Sequence, residues 1–109
     1  MDVASINTLA EQQLTIAARA ASGRSAVRAY GRPSASLRQT LVALTAGRTM
    51  AEHKSPGDAT LLCLQGQVVV RAGATSVELG PGDLLAIPPQ RHDVEALQDS
   101  ALLLTVSLH

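Results

Sequence analysis

Two hydrophobic periods divide the chain. Over residues 6–22, Ile6, Leu9, Gln13, Ile16 and Ala20 recur three or four positions apart, with Leu9, Leu14, Ala17 and Ala18 on a neighbouring stripe. That spacing predicts an amphipathic helix. Thr8-Leu9-Ala10-Glu11 reads as a capping box, in which Thr8 and Glu11 satisfy each other's backbone donors. Gly23 reads as the stop, because glycine enters the left-handed region at little cost. The apolar face is thin and alanine-rich, so such a helix draws its stability from packing on the rest of the chain or on a partner subunit.

From about residue 26 the period becomes two. A weak strand at 25–30 ends at Gly31-Arg32-Pro33. Over 37–45, Leu37, Gln39, Leu41 and Ala43 alternate with Arg38, Thr40, Val42 and Leu44. Residues 59–64 form a continuous apolar run. The turns Gln65-Gly66, Ala72-Gly73-Ala74 and Gly80-Pro81-Gly82-Asp83 separate strands at 67–71, 75–79 and 84–87. Pro88-Pro89 breaks the last of these, and strands at 92–96 and 101–107 complete the chain. Many short strands punctuated by Gly and Pro predict an all-β sandwich or barrel, here preceded by one α-helix. The expected division is a helix and arm at 1–36 and a barrel at 37–109, within a single domain.

Composition narrows the chemistry. The 109 residues include one Tyr and neither Phe nor Trp, so the core is aliphatic and flat ligands find almost no stacking surface. Nine basic and nine acidic residues give zero formal charge. Arg19, Arg24, Arg28, Arg32, Arg38 and Arg48 make the first half mildly basic. Nucleic-acid binding needs a concentrated basic face and aromatic platforms, so no nucleic-acid partner is expected. Cys63 is the sole cysteine and sits among Leu61, Leu62 and Leu64, which predicts a buried, inert thiol. No apolar run reaches the length of a membrane span. The amino terminus has no secretory pattern, so the expectation is a cytoplasmic protein with no membrane partner.

The turn residues and two isolated histidines carry a resemblance. Gly47 leads through five residues to His53, and Gly66 follows Ala59 across six. Gly82 leads through five residues to Pro88, with His92 shortly after. Over residues 37–107 this layout resembles the cupin family, a small double-stranded β-helix or jelly-roll barrel with an internal pocket. The resemblance also implies a homodimer. In that family the paired histidines and the glutamate of the first motif, with the histidine of the second, ligate a metal. Here the second histidine position is Ser55 and the glutamate position is Ala59, and the loop after Pro88 is one residue short. His53 and His92 remain as ligand-like residues.

Imidazole suits a divalent transition metal such as Zn, Fe, Ni or Mn, but two histidines alone make a weak, exchangeable site, since catalytic centres carry three protein ligands. Glu52 and Glu95 have the opposite strand parity to His53 and His92. The favoured expectation is that His53 and His92 orient a small molecule in the pocket, with Ser55 and Arg91 as further ligand-binding candidates. Leu41, Val69, Leu85 and Leu103 are read as interior residues that either line such a cavity or, as is usual in small barrels, simply fill it. Three functions follow in order: a small-molecule binding or sensing protein; a metal-dependent enzyme of dioxygenase or isomerase type with a reduced ligand set; a structural or interaction protein with a closed barrel. Whether the protein is an enzyme is left open.

Overall fold

The fold was analysed in a computed structural model that describes residues 1–53 and 57–108, with 51–53 as backbone only. Helix α1 (Ile6–Arg19) is followed by nine strands: β1 (Arg24–Tyr30), β2 (Leu37–Leu44), β3 (Thr49–His53), β4 (Asp58–Gln65), β5 (Val68–Ala72), β6 (Thr75–Leu79), β7 (Leu84–Ala86), β8 (His92–Ala96) and β9 (Ser100–Ser107). They form a five-stranded sheet ordered β1-β2-β9-β4-β7 and a four-stranded sheet ordered β3-β8-β5-β6. Every ladder is antiparallel. This is the expected all-β jelly roll behind one helix.

The helix starts earlier than the capping pattern suggests. Ser5 is the N-cap, its hydroxyl accepting the N–H of Thr8 at 3.3 Å. The Thr8–Glu11 box therefore lies inside the helix. Ala20, and not Gly23, is the C-cap. Gly23 instead makes the turn into β1 at φ +66°, where a side chain would overlap Thr45 and Arg48. The buried stripe is Ala10, Gln13 and Ala17, while Ile16 is half exposed. Small residues at the contact let the helix lie close to the sheet, and Ile6, Leu9 and Leu14 pack on the flanks.

The main core fills the space between the sheets. Val42, Leu44, Leu61, Cys63, Val68, Val70, Leu79, Val94, Ala96 and Leu102 are buried there. A second, smaller cluster of Ala10, Leu41 and Ala101 lies under α1 on the outer face of the five-stranded sheet. Strand β2 is thus covered on both faces, and Leu41, Val42, Ala43 and Leu44 are all buried. This corrects the expected cavity lining. Leu41 packs beneath the helix, and Leu103, its register partner, shares that outer side. Val69 alternates with the core residues Val68 and Val70 and so faces away from them. Of the four, only Leu85 packs against the inter-sheet core.

Two turns explain how the strands close. Gly66 has φ +89°, and a Cβ there would overlap Ser100 Oγ and the Asp99 carbonyl. The buried Ser100 hydroxyl accepts the Gln67 N–H at 3.1 Å and donates to the Gln98 carbonyl at 2.7 Å. In the Gly80–Asp83 turn, the Asp83 carboxylate accepts the Gly80 N–H at 2.8 Å, and Gly82 N–H donates to the Cys63 carbonyl at 2.8 Å.

Candidate functional site

Strand β8 alternates buried and half-buried residues from its first position, so His92, Val94 and Ala96 share the inward row. His92 is 2% exposed and is the one buried histidine among the described residues. Its Nδ1 lies 3.0 Å from the Gln90 carbonyl oxygen. A carbonyl only accepts, so Nδ1 carries the hydrogen. In the neutral ring the basic lone pair is then on Nε2. A backbone bond of this type fixes the ring and the tautomer together.

The backbone brings the second histidine to the same place. Strand β3 pairs with β8, and the register sets His53 opposite His92 past an irregularity after Met50. The sequence pattern assigns no strand to 49–53, whose only large apolar residue is Met50. Ser55, the third candidate, lies outside the described residues. Arg91 is exposed immediately before β8, at the surface end of the His92 segment.

A cavity of about 270 Å³ opens beside this segment. Val70, Ala72, Leu85, Pro88 and Gln90 line it, with Thr75 and Ser76 from the β5–β6 hairpin. Gln90 therefore links the two features: its residue forms part of the wall and its carbonyl holds His92. Sequence reasoning passed over Gln90, Val70 and Ala72. The available signal for Gln90 was its place between the Pro88-Pro89 break and His92.

Among the described residues no group of three or more His, Cys, Asp or Glu side chains is arranged to hold a metal. Ala59, at the position where the family carries its glutamate, is buried and offers no donor. The described donor set does not fit a three-ligand metal centre. Cys63 is fully buried in the core. Burial first, and the nearby Asp83 carboxylate second, push its thiol above the ordinary range, against a smaller opposing effect of the Gln65 backbone. It is neither a nucleophile nor a thiolate ligand at neutral pH. On the outer face, Arg71 pairs with Glu95 at 2.7 Å and Asp93 at 3.5 Å across the β5–β8 ladder.

A family model for the cupin domain matches residues 40–108. Among solved structures, the chain is similar to a cupin superfamily protein from Desulfitobacterium hafniense, with TM-score 0.73 and 20% identity over 79% of this chain and 78% of that one. It is similar to KdgF from Halomonas sp., with TM-score 0.70 and 22% identity over 79% and 81%. A protein of unknown function from Rhizobium leguminosarum covers 100% of this chain and 98% of its own, at TM-score 0.75 and 12% identity. That last match takes in α1 and β1 as well as the barrel. At such identities these likenesses show the fold. A comparison with curated proteins gives no match.

Proposed function

Because the chain belongs to the cupin family, we propose that it is a small-molecule binding or sensing protein whose ligand enters the barrel beside His92. The observation that carries this reading is the shared role of Gln90, which walls an apolar cavity and orients a buried imidazole. Apolar walls with a few fixed polar groups are what a ligand site needs. Val70, Leu85 and Pro88 supply the apolar contact. Gln90 supplies a polar group at the wall, in the segment that leads into His92. His53 and Ser55 belong to the same proposed site through the first motif, with Arg91 at its rim. The cavity suits a compact organic molecule of few heavy atoms, and the absence of Phe and Trp argues against ligands held by stacking.

A metal-dependent enzyme is the second reading, favoured by the cross-strand pairing of His53 with His92. No step is assigned to a metal here, because the described residues supply no third donor. The protein is further proposed to act as a homodimer. The outer edge of β1 is seven residues long and has no neighbouring strand among the described residues, and open edges gain by being covered.

The test is a thermal-shift screen of small acids, sugars and apolar compounds, run on the protein and on a Val70→Phe variant that fills the cavity. A compound that raises the midpoint of the former and not the latter supports the barrel site. A screen in which every stabilising compound acts equally on both contradicts it.

A further inference from the structure

A second cavity shares no lining residue with the one beside the His92 segment. It is larger, about 480 Å³, and sits where the amino-terminal arm meets the end of β1 and the β1–β2 connection. Arg28, Tyr30 and Arg32 line it, with Asp2 as its one acidic residue. Arg28 and Tyr30 occupy alternate positions of β1 and are both exposed. Gly31 then turns the chain at φ +114°, close against the Leu37 carbonyl and Arg38. That doubling back brings Arg32 onto the same cleft. The connection is braced by Arg38, whose Nη2 donates to the Pro33 carbonyl at 2.9 Å.

The two guanidinium groups are poorly neutralised. The Arg28 side chain has no hydrogen-bond or ion-pair partner among the described residues. Arg32 makes one contact, from Nε to Ser34 Oγ at 3.3 Å, which leaves its two terminal nitrogens uncommitted. Paired guanidinium forks match the oxygens of a carboxylate or phosphate. An extended polyanion would need a longer basic track and more aromatic platforms than a chain of zero net charge and one Tyr provides.

We propose that this cleft binds a small oxyanion, a carboxylate or a phosphate, gripped by Arg28 and Arg32 with Tyr30 at its side. The site stands apart from the barrel cavity and does not depend on it. Asp2 opposes the anion, so its neutralisation strengthens binding.

Tyr30 is the sole residue of the Phe, Tyr and Trp types in the chain, so the tyrosine ring resonances in NMR report on this cleft. Orthophosphate and succinate are titrated separately at constant ionic strength, with sodium chloride as control. Saturable movement of the Tyr30 ring with either probe is expected, and the better probe identifies the class. Arg28→Gln/Arg32→Gln weakens binding by at least about tenfold, and Asp2→Asn tightens it. Arg28 and Arg32 are exposed, so the double variant keeps the parent melting temperature; Arg32→Gln alone repeats the test with a smaller perturbation. Shifts that never saturate, that chloride reproduces, or that survive in the double variant overturn the proposal.

Discussion

His53 and His92 are register partners across the β3–β8 ladder. Two residues far apart in sequence are thereby set side by side at one end of the barrel. His92 is fully enclosed, with Nδ1 bound to the Gln90 carbonyl. His92→Ala removes a buried ring and leaves that carbonyl without its donor. The expected cost is about 2 kcal/mol of unfolding free energy, read from denaturant unfolding. His92→Asn, which can still donate toward Gln90, is expected to lose less.

Metal content separates the two functional readings. Two histidines make an exchangeable site, so purified protein dialysed against a weak chelator is expected to hold well under one equivalent of Zn, Fe, Ni or Mn by elemental mass spectrometry. One equivalent, retained by the parent and lost in His92→Ala, would transfer the account to the metal-dependent reading.

Glycine substitutions should differ sharply by position. Gly66→Ala meets both a positive φ and overlap with Ser100 and Asp99, and is expected to cost more than about 2 kcal/mol. Gly73→Ala has φ +60° but open space around the added carbon, and is expected to cost only about 1 kcal/mol. Equal melting temperatures for the two variants would contradict the packing described at the β4–β5 turn.

The fold was legible where the two faces of a strand differ. Turn glycines and period-two alternation placed β1, β2 and the strands from β4 to β9 within a residue or so. Facing was illegible in β2, because α1 covers its outer face and the barrel core its inner one. A strand buried on both sides reads as a continuous apolar run, so the pattern could not tell that Leu41 faces the helix while Val42 faces the core. Strand β3 escaped notice because five residues with one large apolar side chain give too short an alternation. The helix face was misassigned because Ala10 and Ala17 look weaker in sequence than Ile16, yet with Gln13 they form the buried stripe. For the site, neither the spacing of His53 and His92 nor their neighbours shows that they meet. The family layout suggested it and the β3–β8 register supplies it.

The Cys63 thiol gives a pH prediction with a definite sign. Its pKa in the folded protein is raised, chiefly by burial and then by Asp83, while the unfolded chain has an ordinary thiol. A raised folded pKa means the associated stability is fully present below the ordinary thiol range and is lost as pH climbs through the folded value. Stability should therefore decline at alkaline pH, and Cys63→Ala should flatten that part of the curve while lowering stability at neutral pH through the lost volume. Alkylation of native protein by iodoacetamide at neutral pH should be far slower than in denaturant.

The open β1 edge predicts association. Light scattering coupled to size exclusion should give twice the 11.3 kDa chain mass. A monomer at all accessible concentrations would remove the dimer from the account.

The central claim is a ligand site in the barrel beside His92, and a backbone-amide NMR titration with the best compound of the thermal screen tests it most directly. The account predicts saturable shifts concentrated at Val70, Ala72, Leu85, Gln90 and His92, and their loss in Val70→Phe. Shifts confined to other surfaces, with these five resonances unmoved at saturation, would contradict it.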